Sequence, residues 1–534
     1  MSFTQRTLSF AVLMALGGTA AAANTDSLAV GRALNLLQDR NAAGAARMSV
    51  NDRFVARKVI RDADGTEHVR FNRTYGGLPV IGGDVVVHSR NGQLKSTSQT
   101  LDAPLNLSTR PNRLAGQAMV DAGVEFGSKF VGMPRSALVV YARDAGAAKL
   151  AWQVNFVGSD KAGNPVDSTY FVDARSGQVL DRWSNIHTAT PPGRFCTPSA
   201  NTPATGVGKT FYSGNVTLTT TNCGGGFELK DPTRGGHVTR NMRGSTDQLG
   251  PGIPFNALAN SFGDNTMADT TTIGAEIHAG IANIWDYYKN IHGRLGVAND
   301  GVGIVAKAHY GQNYFNAAWW DRCQCIIFGD GNGVSTGPMA SLDMTGHEMS
   351  HGVTAHTAGL MYSGESGGLN EASSDIMGTM AEFYANNPLD VPDYLLGEKL
   401  YMPQGQYLAL RIMYDPFRDG LSPNCYSSNI GRLDVHYSSG VANHFYYLLA
   451  EGSAEKTFNG LTRASPTCNN LPVVGITRAK AEKIWFRALT VYMTANTNYA
   501  GARRATLSAA NDLYGVNSTE SKTVAAAWSA VLVR

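Results

Sequence analysis

At 534 residues the chain is too long for one compact domain, and at about 150 residues per domain it has room for three or four. Hydrophobic residues at 43% and charged residues at 16% allow several buried cores and exclude general disorder. Lys and Arg number 45 against 42 Asp and Glu, a formal +3 with no basic block, which removes the electrostatic case for a nucleic-acid binder.

In chain order, residues 1–23 predict an export signal. Arg6 supplies the basic start, Leu8 to Leu16 the apolar run, and Ala21, Ala22 and Ala23 the small residues of a cleavage site. That run is too short for a bilayer-crossing helix, which needs about 20 residues. No later segment has 18 apolar residues in a row, so a soluble, secreted mature protein is expected. Six cysteines suit that compartment: Cys196, Cys223, Cys323, Cys325, Cys425 and Cys468 allow up to three disulfides. Cys425 and Cys468 share one C-terminal region and are the first pair to expect. Cys323 and Cys325 have the wrong spacing for a zinc ribbon and read as a disulfide or free thiols.

Residues 24–190 read as an α+β region. Val69 to His88 alternates β-branched runs with Gly-rich turns, Lys149 to Leu180 repeats that style around a turn at Asp173–Gly177, and Arg113 to Phe130 predicts a helix. His68, His88 and His187 stand isolated and read as packing or surface residues. Ala189 to Gly206, rich in Pro, Thr, Ser and Gly, predicts a cleavable linker. Val207 to about Phe328 predicts strands with one helix near Ile273–Tyr288. From Leu342 onward the pattern is helical, including Thr477–Met493, Ala500–Leu513 and Lys522–Leu532.

The strongest feature is His347-Glu348-Met349-Ser350-His351. On a helix, positions i and i+4 lie about 40° apart, so both imidazoles can face one metal with Glu348 beside them. A second helix is predicted over Gly368–Asn387, with Glu371, Asp375 and Glu382 on one stripe. Three carboxylates so aligned repel unless cations hold them. Two His and Glu371, with a fourth position open to water, make the catalytic form of a zinc site. Glu348 is then the proton acceptor, and Asp375, one turn after Glu371, is placed to bind the far N–H of His347. Asp343, with Glu382 and the Asp393–Leu395–Glu398 stretch, offers hard oxygens for a second, calcium-like ion.

Residues 343–399 resemble the thermolysin family of zinc metalloproteases. His309 to Ala317 is similar to the family's edge strand, which makes Asn316 and Ala317 the expected substrate-binding residues. Leu410–Pro416 resembles the segment with the substrate-binding Arg, here Arg411. Asp434–Gly440 resembles the segment with the catalytic His, here His436 oriented by Asp434, and Tyr362 matches the oxyanion-stabilising Tyr. The position of Asp434 brings the likeness nearer to the pseudolysin and vibriolysin branch. Thr379 stands where that branch has a calcium-binding Glu, so one calcium with fewer carboxylates is expected, and the Cys323–Cys325 insertion lies beside the substrate strand.

The resemblance implies an α+β, two-lobed protease preceded by a propeptide. Its expected parts are a signal peptide (1–23), a propeptide (24–200, with an FTP-like part at 51–101 and a PepSY-like part at 110–187), a β-rich catalytic lobe (205–360) and an α-helical lobe (361–534). It further implies a monomeric zymogen whose propeptide assists folding and inhibits. The implied activity is internal cleavage of proteins and peptides, with Leu410 and Met344 lining an apolar S1′ pocket that favours bulky hydrophobic residues. Two other readings are a zinc aminopeptidase, which needs an acidic anchor for a free amine, and a binding protein on an inactive scaffold, which would have lost Glu348 or a ligand.

Overall fold

The β-branched runs in the first third of the chain, several of them buried at consecutive positions, build one ten-stranded sheet. The computed structural model describes residues 20–39, 44–127, 129–130, 133–143, 147–159, 165–184, 202–247, 250–321, 323–402 and 408–534. Most of the expected signal peptide, His187, Cys196 and nearly all of the expected linker lie outside them; residues 20–23 begin helix α1, Ala20–Leu36. Among the described residues no helix is long and apolar enough to cross a membrane.

Strands Asp52–Arg61, Thr66–Tyr75, Leu78–Ile81, Val85–Arg90 and Gln93–Ser98 form one half of a ten-stranded sheet. Helix α1 lays Ala29 and Ala33, with Leu37 just past its end, over Val69, Phe71, Val85 and Val87. Strands Arg135–Tyr141, Lys149–Ser159, Pro165–Asp173 and Val179–Ser184 form the other half, and the parallel pairing of Val80–Ile81 with Val140–Tyr141 joins the two. The helix expected over 113–130 is shorter. Helix α2 spans Ala115–Phe126, and Gly127 at φ 60° ends it. Lys129–Phe130 then turns into a strand on Lys149–Ser159, because Gly127 accepts the left-handed cap that side chains resist.

The next region has a five-stranded and a six-stranded sheet around α3, Thr270–His292. In the six-stranded sheet His237–Asn241, Val305–Ala308 and Cys325–Phe328 run parallel, and Ala317–Trp320 closes the edge antiparallel to Cys325–Phe328. Helices α4, Leu342–Ala355, and α5, Gly364–Ala385, lie at the centre, nearly every residue buried. They cross where Gly346 meets Gly378: a Cβ on Gly346 would sit 2.8 Å from the Gly378 Cα. Helices Arg478–Arg487, Tyr499–Tyr514 and Thr519–Ala530 complete the helical lobe. Cys425–Cys468 and Cys323–Cys325 are disulfides, and Cys223 is also disulfide-bonded.

The first sheet docks on the helical lobe through charged groups. Arg57 donates to the Ala355 carbonyl (2.9 Å) at the end of α4, and Arg70 to the Met493 carbonyl (3.0 Å). Arg143 donates to the Ser363 carbonyl and Ser366 Oγ, both at 2.7 Å, where α5 begins. His68 and His88 are not isolated, contrary to the sequence expectation. They are cross-strand neighbours with Nδ1 atoms 2.6 Å apart, under the Tyr492 ring of the helical lobe.

Candidate active site

The i, i+4 spacing on α4 places His347 and His351 on one face, Nε2 atoms 3.1 Å apart. Helix α5 brings Glu371 to them: its two carboxylate oxygens lie 3.4 Å from His347 Nε2 and 3.4 Å from His351 Nε2. All three ligand atoms fall within 4.8 Å of one another. Glu371 is fully buried and its Oε2 has no hydrogen-bond partner among the described residues. A buried carboxylate set against two imidazole nitrogens, with one oxygen lacking a hydrogen bond, is costly without a cation and suits zinc.

The ligands are held from behind. His347 Nδ1 meets Asp375 Oδ1 at 2.7 Å, and Asp375 is gripped by Arg411 (2.6 and 2.7 Å) and by Asn443 Nδ2 (2.7 Å). Burial alone would raise the Asp375 pKa, but the Arg411 charge and the His347 contact hold it below the ordinary carboxylate value. His351 Nδ1 meets Asn370 Oδ1 at 2.8 Å, and Asn370 donates to the Leu360 carbonyl (2.8 Å). Replacing Asp375 by Asn removes a charged acceptor and strands Arg411. Zinc affinity should fall about 10- to 100-fold, measured by competition with a chelator; an unchanged affinity would show that Asp375 only packs.

Glu348 is held by a strand. Its Oε2 accepts the Trp319 backbone N–H at 2.8 Å, from the edge strand that begins at Ala317. Asn316 is exposed; its Oδ1 accepts from the Ala317 N–H (3.0 Å) and its carbonyl from the Gly329 N–H (3.0 Å). Tyr362 and His436 close the opposite side. The Tyr362 hydroxyl donates to Glu371 Oε1 and lies 3.2 Å from His436 Nε2, while His436 Nδ1 meets Asp434 Oδ1 at 2.7 Å. Burial and the Glu371 charge hold the Tyr362 phenol well above its ordinary pKa, so it stays a donor. The Glu371 charge, assisted by Asp434, raises His436.

The second acidic group brings together two of the expected acids, Glu382 and Glu398, with Asp390. Among the described residues both Glu382 oxygens and Glu398 Oε2 have no hydrogen-bond partner, and Asp390 lies 3.4 Å from Lys399 Nζ. Asp343 and Asp393 stand close enough for their charge to act on Glu382, and each also accepts backbone amides. Asp343 takes the Met344 (2.8 Å) and Gly397 (2.5 Å) N–H groups, and Asp393 takes the Leu395 N–H (2.7 Å). Thr379 Oγ1 lies 3.4 Å from Met413 Sδ. Met344 is in the core and Leu410 is partly buried against it. Sequence reasoning missed Asp390, Asn370 and Asn443; an acid before Pro392, where the chain must turn back toward α5, was the readable signal for the first.

The family model for the thermolysin metallopeptidase catalytic domain matches residues 205–355, that for the α-helical domain 358–533, and the fungalysin/thermolysin propeptide motif 52–101. The chain is 42% identical over 508 residues to a transglutaminase-activating metalloprotease of Streptomyces mobaraensis, covering 93% of this chain and 64% of that protein, so it spans about two thirds of that relative's length. It is 36% identical over 489 residues to thermolysin of Bacillus sp. (strain EA1), covering 88% of this chain and 84% of the relative. Among solved structures, the precursor of protealysin from Serratia proteamaculans overlaps 56% of this chain and 87% of its own, with 26% identity and a TM-score of 0.43.

Proposed function

From the premise that this chain belongs to the thermolysin family of metallopeptidases, a zinc-dependent class, we propose that it is a secreted zymogen of a metalloendopeptidase that cuts before bulky hydrophobic residues. The observation that carries this reading is the His347–His351–Glu371 triad facing Glu348, with Glu348 tied to a sheet edge. Among the described residues the strand Ala317–Trp320 pairs on one side, with Cys325–Phe328. An extended peptide can add to its free edge and run past the site in both directions, which favours internal cleavage over removal of a terminal residue.

Zinc, when bound by His347, His351 and Glu371, supplies a Lewis acid that polarises the scissile carbonyl and acidifies water. Glu348, oriented by the Trp319 N–H, accepts the proton of the attacking water and returns it to the leaving nitrogen. Tyr362 and His436 stand together where donors can meet developing oxyanion charge. Arg411 presents its guanidinium beside the site while locked on Asp375, so the residue assigned to the substrate also steadies His347. Asn316 and Ala317 are the start of the substrate edge, and Leu410 with Met344 the apolar wall. The propeptide, residues 24–200, with its expected halves at 51–101 and 110–187, precedes the lobes at 205–360 and 361–534 and inhibits until cut.

Mapping the cuts made in a mixed peptide pool by the secreted protein tests the reading, with a zinc chelator and Glu348→Gln as controls. Internal cuts before Leu, Phe or Ile that vanish in both controls are expected. Stepwise loss of N-terminal residues would make it an aminopeptidase, and no cuts from mature, zinc-loaded protein would make it a binding protein.

Calcium is the proposed occupant of Glu382, Asp390 and Glu398, with Asp343 and Asp393 adding field. Burial and mutual repulsion raise Glu382 and Glu398 well above the ordinary value and Asp390 to about 7. Acids with raised folded-state pKa values stabilise the bare protein only while protonated, and that stability is lost as pH rises from about 4 through 7. Calcium should therefore raise Tm more at pH 8 than at pH 5. Equal increments at both pH values would argue against a cation in this cluster.

A further inference from the structure

We propose that the Cys323–Cys325 disulfide is a positioning element of the peptidase site, fixing the turn of the hairpin whose edge strand holds Glu348; this rests on the peptidase reading above. The hairpin pairs Trp320 with Cys325, so the disulfide sits at its turn. Cys325 is fully buried and Cys323 partly so, among Met242, Tyr310, Trp320 and Ile327. A bridge between residues two apart closes too small a loop to restrict the unfolded chain much. The bridge Cys425–Cys468, with a separation of 43, restricts it far more. What the short bridge governs is local shape.

That shape is carried by Gln324, the residue inside the ring. It holds φ 55°, a left-handed conformation that side chains rarely adopt. In that pose its carbonyl accepts the Val305 N–H (3.1 Å), its Nε2 donates to the Asp321 carbonyl (3.1 Å), and its Oε1 lies 2.9 Å from His356 Nε2. His356 caps the end of α4, the helix with both histidine ligands. Burial lowers the His356 pKa, which favours a neutral ring donating from Nε2. Asp321 Oδ1, in turn, accepts the Trp319 indole N–H at 2.8 Å. The Trp319 ring lies so close to Gly352 on α4 that a Cβ there would be 2.6 Å from it. The hairpin is thus tied at Gln324 to the cap of α4 and through the Trp319 ring to its last turn, and the Trp319 N–H orients Glu348. Releasing the ring frees Gln324 to leave φ 55° and loosens both ties at once.

The test uses full-length zymogen, processed to the mature enzyme, carrying Cys323→Ala with Cys325→Ala. Zinc content and circular dichroism report on the fold. A misplacement of about 1 Å costs up to about 100-fold in rate. The expected result is a kcat lowered about 10- to 100-fold on a short peptide, with KM changed much less. Gln324→Ala, which keeps the disulfide, should lower kcat in the same direction, and Gln324→Glu, which keeps the acceptor for His356, should restore most of it. If the double variant does not fold, the two Gln324 variants carry the test. A folded, zinc-loaded double variant with the parent kcat would overturn the proposal, as would equal kcat for Gln324→Ala and Gln324→Glu. Failure of the unaltered enzyme to cleave any peptide would instead overturn the peptidase reading.

Discussion

Glu348→Gln should lower kcat by about 1,000-fold or more while the protein still folds and binds zinc. Gln keeps the length and one acceptor oxygen, so the contact with the Trp319 N–H survives. The three ligand atoms on His347, His351 and Glu371 are untouched. What is lost is the ability to take a proton from water. Single-turnover assays on a quenched peptide, beside zinc analysis of the same sample, check this. A variant that lost zinc together with activity would mean that Glu348 shapes the metal site, and one retaining a tenth of the parent rate would transfer the proton acceptor to another group.

The second large effect concerns pH. Asp62 Oδ2 lies 3.0 Å from His68 Nε2, the Nδ1 atoms of His68 and His88 lie 2.6 Å apart, and His88 Nε2 lies 2.9 Å from Ser98 Oγ. Arg487 of the helical lobe grips Asp62 (2.6 and 3.1 Å), and Tyr492 covers both rings. Burial first, then positive charge at His68, Arg70, Lys95 and Arg487, depresses His88 to about 3. The docked propeptide therefore binds fewer protons than one with a free imidazole near pKa 6.5. Docking is strongest above that value and weakens as pH falls toward 3. Between pH 7 and 4.5 the affinity of the cut propeptide for the mature enzyme should drop by up to about 100-fold. This is an upper figure, because His88 keeps part of its cover within the propeptide. The Asp62–Arg487 pair does not account for the change, since the His68 and Arg487 contacts outweigh burial and lower the Asp62 pKa. Titration of the separated parts at both pH values checks it, and His88→Phe should flatten the dependence. Equal affinities for the unaltered propeptide would refute it.

Much of the site was legible because it rests on helical spacing. His347, His351 and Glu348 follow from one turn of α4, and Glu371 with Asp375 from one turn of α5. The supports were less legible. The Trp319 amide is backbone and has no residue signature, and Asn443 reaches Asp375 from 68 positions away. His68 and His88 face each other only through strand register, and a sequence shows each alone. Helix ends shifted for local reasons. α4 stops at Ala355, four residues before Gly359, with His356 as its cap, and α5 begins at Gly364 rather than Gly368. The charge pattern picked out Asp343 and Asp393 as acids near one cation, but it could not reveal the backbone amides that orient their carboxylates.

The crossing of α4 and α5 has its own consequence. A Cβ on Gly378 would lie 2.4 Å from the Asp343 carbonyl oxygen and 2.9 Å from the His347 nitrogen, so no side chain separates the two backbones there. The gap between the histidine pair and Glu371 is therefore set by two residues that touch no metal. A methyl group at position 346 or 378 would act as a wedge: every ligand would keep its identity while the cage they form widened. In a screen scored on activity, such a variant would look like the loss of a zinc ligand although nothing that binds zinc had been altered.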